Sequence, residues 1–145
     1  MENSILRRCR SRGLRMTGQR RVIARVLEDA DDHPDAEEIY ARASRIDAAI
    51  SLATVYRTVR LFEEVGLINR LDFGDGRARY EDAERAHHDH LFDMKNGRVI
   101  EFVDPEIERL QEKIARKLGY RLLGHKMDLF AEPVDDKALD RGDDD

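Results

Sequence analysis

Residues 87 to 90 read His-His-Asp-His, and they open a run that continues Leu91-Phe92-Asp93-Met94, turns at Asn96-Gly97 and resumes Arg98-Val99-Ile100-Glu101-Phe102. Alternation around an Asn-Gly turn is the pattern of a β-hairpin, and a hairpin that begins with histidines limits this half of the chain to a small sheet built around polar ligands. Successive strand side chains point to opposite faces. His88 and His90 therefore share one face, and His87 and Asp89 the other. Imidazole and carboxylate are donors for divalent transition metals, so four adjacent residues begin two metal sites, each needing further ligands from elsewhere.

The chain has 145 residues and a net charge of −5, which argues against nucleic-acid binding until the charge is divided along the sequence. Residues 1 to 25 hold eight arginines (Arg7, Arg8, Arg10, Arg12, Arg15, Arg20, Arg21, Arg25) against the single acid Glu2, a local charge of +7. Residues 71 to 145 hold 13 basic and 20 acidic residues, a local charge of −7. Screening removes distant charges beyond about 8 Å at physiological salt, so the local value governs contact with phosphate. The segment from Asp135 to Asp145 reads as an acidic, disordered tail. No apolar run is long enough to span a bilayer and no signal-peptide pattern is present, so the expected location is cytoplasmic and no membrane partner is expected. The single Cys9 excludes an internal disulfide and any zinc site of several thiolates. It reads as a small buried hydrophobe.

The first half of the chain is helical. Ile5, Leu6 and Cys9 mark a short helix ending near Gly13, and Thr17 caps a second, through Glu28, with Val22, Ile23, Val26 and Leu27 as its apolar stripe. A third starts near Asp35 with Ile39, Tyr40 and Ala43 inward. Ser51 caps a fourth, in which Leu52, Val55, Val59 and Phe62 form the buried side and Thr54, Tyr56, Arg57 and Arg60 the exposed one. Hydroxyls, an aromatic ring and arginines suit bases, sugars and phosphates. Leu67 to Phe73 and Arg77 to Glu81 flank Gly74-Asp75-Gly76, a hairpin signal. Three helices, a recognition helix and a hairpin make a winged helix-turn-helix, and the whole chain an α+β fold.

The run Ser51-Leu52-Ala53-Thr54-Val55-Tyr56-Arg57, followed by His87-His88-Asp89-His90 and Val99-Ile100-Glu101-Phe102, resembles the ferric uptake regulator family from residue 4 to about 132. The resemblance implies a winged-helix DNA-binding domain (1–82), a hinge (83–86) and a small α/β metal-binding dimerisation domain (87–134), followed by the tail (135–145). It implies a hinge metal site of His33, Glu81, His88, His90 and Glu101, and a second site of His87, Asp89, Glu108 and His125. The shared strand face of His88 and His90, with Glu101 on the partner strand, agrees with the first set. Glu108 would come from the helix after Pro105 and His125 from a strand running Tyr120 to Phe130. The family's Cys-x-x-Cys structural zinc pair is replaced by Asp93 and Asn96, so the homodimer must rest on Leu110, Ile114, Leu122, Leu129 and strand pairing.

By the same resemblance, Arg15, Ser51, Thr54, Tyr56 and Arg57 contact double-stranded DNA, with Arg57 reading base edges and Arg15 entering an A/T-rich minor groove of an inverted-repeat operator. The implied function is metal-dependent repression of iron-uptake genes with Fe²⁺ as co-repressor. A manganese- or zinc-responsive regulator of the same family is the alternative, because His and carboxylate ligands without thiolate also suit Mn²⁺ and Zn²⁺. A metalloenzyme is the rival class, but sites with four or five protein ligands leave little room for the open coordination position that catalysis needs.

Overall fold

The computed structural model describes residues 4–135, so the tail expected from 135 to 145 lies outside them except for Asp135. The chain divides between Arg85 and Ala86 into two compact units. The first contains α1 (Ser4–Ser11), α2 (Gly18–Asp29), α3 (Ala36–Ile46), α4 (Leu52–Glu64) and the antiparallel hairpin β1 (Ile68–Asp72) and β2 (Ala78–Asp82). The second contains β3 (Asp89–Asp93), β4 (Val99–Phe102), α5 (Pro105–Lys117) and β5 (Asp128–Ala131).

Helices α2 to α5 each start where a side chain satisfies an unpaired amide. The Thr17 hydroxyl accepts from Arg20 N, and Ser51 accepts from Thr54 N. Asp35 and Glu38 form a reciprocal capping box at α3, at 2.8 and 3.2 Å. Gly66, at φ +78°, supplies the left-handed residue that ends α4 and turns the chain into β1.

Ile5 and Cys9 of α1, Ile23 and Leu27 of α2, Ile39 and Ala43 of α3 and Val55, Val59 and Phe62 of α4 close one core with Leu67 and Ile68. Burying a side chain such as Phe62 is worth roughly 1.5–3 kcal/mol, so this unit stabilises itself by packing. Two inward assignments need correction. Tyr40 is 36% exposed, because Ala36, Ile39 and Ala43 occupy the buried stripe and one residue on from Ile39 is a rotation of about 100° away from it. Leu52 is only half-buried, whereas Thr58 is buried between Val55 and Phe62.

The hairpin is fastened to α3. Arg77 donates to Asp35 at 2.9 Å and to Glu38 at 2.8 Å, and Tyr80 N donates to Pro34 O at 3.0 Å. Arg79, 3% exposed, pairs with Asp75 at 2.8 Å and lies over the Phe73 ring.

In the second unit the strand order is β4-β3-β5, with β4 antiparallel and β5 parallel to β3. The β3–β4 turn is closed by Asp93, which is 4% exposed and accepts from Lys95 N, Asn96 N and the Asn96 amide at 2.9 to 3.0 Å. Burial raises the Asp93 carboxyl, but the bonds from Asn96 and Lys95 outweigh it and hold the group below the usual carboxylate range. The strand expected from Tyr120 to Phe130 is shorter. Its register with β3 begins at His90 opposite Asp128, preceded by a His90 N to Met127 O bond at 3.2 Å, while Tyr120 N turns back to Ala115 O and Gly124 interrupts the pattern.

Helix α5 begins with Asp104 capping Glu106 N and Pro105 in the first turn. None of its residues is buried: Leu110 is 57%, Ile114 48% and Leu118 70% exposed. With Leu129 and Phe130 also exposed, the unit leaves its apolar side open. Large exposed apolar surface of this kind marks an association face.

Candidate metal centres and nucleic-acid interface

Alternation along β3 distributes the histidines to two faces. On one, His88 Nε2 and His90 Nε2 lie 3.1 Å apart with the rings edge to face. Glu101, directly opposite His90 in the β3–β4 register, places Oε1 3.5 Å from His88 Nε2. The His88 and His90 side chains are 11% and 7% exposed. His88 Nδ1 faces the Ala86 carbonyl at 2.9 Å, and a carbonyl only accepts, so that nitrogen carries the proton. In the neutral ring Nε2 is then a bare lone pair. A bare Nε2 on His90 as well would set two imidazole lone pairs against each other beside a carboxylate, an arrangement that a cation between them relieves.

In the first unit, His33 from the loop before α3 and Glu81 from β2 form a second imidazole–carboxylate pair, Nε2 to Oε2 3.3 Å, each 7% exposed. A carboxylate that deep needs a cationic or hydrogen-bonding partner.

The other face of β3 carries His87 and Asp89. His87 Nε2 and His125 Nε2 are 3.1 Å apart, and His125 Nε2 is 3.1 and 3.2 Å from the Asp89 oxygens. Asp89 is 2% exposed and also lies 3.7 Å from His87. Glu108 reaches from α5 to within 3.9 Å of His87 Nε2. His87, Glu108 and His125 each offer a ligand atom, and these lie within 4.8 Å of one another. His125 arrives from the irregular segment before β5 and not from the expected strand. Reading the sequence did not single out Asp128, whose Oδ1 lies 3.6 Å from His90 Nδ1. The parallel register that brings it there joins residues 38 apart and leaves no local signal.

On α4, Tyr56 is 51% exposed and Arg57 and Arg60 point to solvent. Ser51 Oγ and Thr54 Oγ1 are 3.0 Å apart, and Arg57 Nη2 donates to Thr54 Oγ1 at 3.2 Å. The helix thus presents an aromatic ring beside a guanidinium already held by its own helix, a preorganised pair for base edges and sugars. Arg15 is exposed ahead of α2, with its carbonyl accepting from Arg20 at 2.7 Å. Other arginines of the basic segment are engaged within the fold: Arg8 pairs with Asp82, and Arg12 donates to Val65 O at 2.6 Å.

Residues 11–130 match the model of the ferric uptake regulator family. A curated relative from Rhizobium leguminosarum bv. viciae, named ferric uptake regulation protein, is 59% identical over 131 residues, covering 90% of this chain and 92% of its own. A solved structure described as a zinc-bound manganese uptake regulator is 57% identical with a TM-score of 0.77, covering 91% of this chain and 100% of that one. The Helicobacter pylori ferric uptake regulator, described as having three functional metal-binding sites, is 33% identical with a TM-score of 0.83 and 92% coverage of both chains. Members of this family are regulators of transcription, not enzymes, and the chain has their two-domain form and lacks the cysteines of a thiolate zinc site. The protein belongs to the ferric uptake regulator family of metal-responsive, DNA-binding dimeric regulators.

Proposed function

We propose that this chain is a metal-activated repressor of metal-uptake genes, with Mn²⁺ as its co-repressor, acting in the cytoplasm on an A/T-rich inverted-repeat operator. The observation that carries the metal-activated part is the His88–His90 pair, two buried Nε2 atoms 3.1 Å apart with Glu101 beside them. With His33 and Glu81 of the first unit, these side chains would supply five nitrogen and oxygen donors to one divalent cation, tying it to both sides of the hinge at residues 83–86. His87, Glu108, His125 and Asp89 would hold a second.

A bound cation would supply a fixed positive charge between neutral imidazoles and carboxylates. Ligands from both units then restrict the orientations of the winged helix, and in a twofold dimer only some orientations present both α4 helices at half-sites about 34 Å apart. Arg57 and Tyr56 would read the major groove, with Ser51 and Thr54 beside them, and Arg15 would enter the narrow minor groove. By linkage, cation and operator strengthen each other's binding by the same factor, typically about 5- to 150-fold.

An all-nitrogen-and-oxygen donor set accepts both Mn²⁺ and Fe²⁺, so the choice of Mn²⁺ rests on the name of the 57% identical solved relative. Iron-uptake repression by Fe²⁺ is the second reading, favoured by the name of the 59% identical Rhizobium protein. The test is fluorescence anisotropy with an A/T-rich inverted-repeat duplex at fixed salt, comparing metal-free protein with protein in buffered Mn²⁺, anaerobic Fe²⁺ or Zn²⁺, and repeating with His90→Ala. Tightening that His90→Ala abolishes is the expected result, and half-activation by Mn²⁺ and Fe²⁺, each compared with its cellular free level, selects between them. Binding indifferent to every metal would overturn the hinge mechanism.

A further inference from the structure

We infer that Asp128 is a positioning residue for His90, holding the imidazole by its Nδ1–H so that Nε2 is left as the donor atom facing His88. The inference deepens the metal-site reading above and rests on it.

Asp128 and His90 are directly opposed in the parallel β3–β5 register, so their side chains leave the sheet on the same face. Asp128 Oδ1 lies 3.6 Å from His90 Nδ1, and the side chains are 19% and 7% exposed. That oxygen is buried and has no hydrogen-bond partner. A buried acceptor without a donor is costly, and the ring nitrogen facing it becomes a donor only when the proton sits on Nδ1. The separation is an ion-pair distance, and a small torsion of the carboxylate closes it to a hydrogen bond. The opposite tautomer would turn the Nδ1 lone pair towards the carboxylate, and its Nε2–H, although able to donate to His88 Nε2 at 3.1 Å, would withdraw that nitrogen from a cation. One carbonyl and one carboxylate thus fix the two rings from outside, and both Nε2 atoms are directed inward. Outer partners of this kind orient histidine ligands and raise their basicity. Asp128 faces the far nitrogen of the ring, so it acts through His90 and not as a ligand.

The test uses the full-length protein labelled with ¹⁵N and loaded with Zn²⁺ as a diamagnetic probe. Long-range ¹H–¹⁵N spectra should show His90, identified by its absence in His90→Ala, with a protonated Nδ1 and with Nε2 as the metal-bound nitrogen. Asp128→Ala should shift the Nδ1 resonance by removing its acceptor and weaken Mn²⁺ binding at this site about 10- to 100-fold. Asp128→Asn, whose amide oxygen still accepts, should return the Nδ1 resonance towards its original position and recover most of the affinity. A metal-bound Nδ1 in the unmutated protein overturns the inference without recourse to any variant, which covers the case of an Asp128→Ala chain that does not fold. An unchanged Nδ1 resonance and Mn²⁺ affinity in folded Asp128→Ala, with His90→Ala abolishing binding, also overturns it while leaving the metal site standing. If His90→Ala itself leaves Mn²⁺ binding unchanged, the metal-site reading fails, and Asp128 loses its role with it.

Discussion

Replacing Arg8 by Met keeps the aliphatic stem and removes only the guanidinium, and it separates two meanings of the basic N-terminal segment. The Arg8 side chain is 11% exposed, and its Nη2 meets both Asp82 oxygens at 2.8 and 2.9 Å. Its Nε is 3.3 Å from Glu84 and its Nη1 3.5 Å from Leu67 O. A hydrogen bond between charged groups nets roughly 1.5–3 kcal/mol, and leaving a part-buried carboxylate without its partner adds to the loss. Asp82, 19% exposed, retains the Glu84 amide at 2.9 Å, which limits the damage. The expected cost is about 2–3 kcal/mol. For a unit of this size each kcal/mol lowers Tm by about 4–8 °C, so the first unit should melt roughly 10–20 °C lower by circular dichroism. Arg7→Met, at an exposed position on the same helix, should leave Tm within a few degrees and reduce the salt dependence of DNA binding by about one counterion. If Arg8→Met instead flattens the salt dependence and melts normally, Arg8 binds phosphate and its role as the anchor of the β2 end is wrong.

Thr54→Val removes the acceptor for Arg57 while keeping the side-chain shape. Operator discrimination measured by competition anisotropy should fall about 3- to 10-fold, the scale of one weak hydrogen bond, with little change in Tm; an unchanged specificity ratio would show that Arg57 needs no intrahelical support. Asp93→Ala deletes three acceptor contacts at the β3–β4 turn and should destabilise the second unit by about 1–3 kcal/mol. Because the folded Asp93 carboxyl lies below its ordinary value, its stabilisation is complete above about pH 4 and is lost as pH falls through the lowered folded value. Acid-unfolding curves of wild type and Asp93→Ala should therefore converge at low pH, and a gap that widens on acidification would reverse the assignment. Cys9 is fully buried, and burial raises its thiol above the usual value, so a thiol reagent should label it only under denaturing conditions; rapid labelling of the native protein would contradict the packing of α1.

Helix starts were legible because capping is local: Thr17, Asp35 and Ser51 each precede the apolar stripe they cap, and each holds its amide. The wing was legible from Gly74 and Gly76 between two short alternating runs. Tyr40 and β5 were not. A wide apolar stripe leaves its edge residues undetermined by one rotation of 100°, and the length of a parallel strand depends on a partner far along the chain. The eight arginines in the first 25 residues read as one electrostatic field, yet Arg8 and Arg12 are engaged with Asp82 and Val65 O. Composition counts charges and does not show which of them the fold has already neutralised.

The proposed metal ligands divide along the same line. Period two along β3 sends His88 and His90 to one face and His87 and Asp89 to the other, and that follows from strand geometry alone. What holds the rings is not local: His125 comes from an irregular segment, Glu108 from α5, and Asp128 stands across a parallel ladder from His90. The Asp93–Asn96 turn makes the same point from the opposite direction. Two thiolates with a zinc ion would brace a turn by coordination, whereas here a carboxylate accepting from Lys95 N, Asn96 N and the Asn96 amide braces it by hydrogen bonds. Hydrogen bonds within the turn do not depend on metal supply. The second unit can therefore keep its β3–β4 register when metal is scarce, which under the proposed function leaves the histidines of β3 arranged for an ion in advance of its binding.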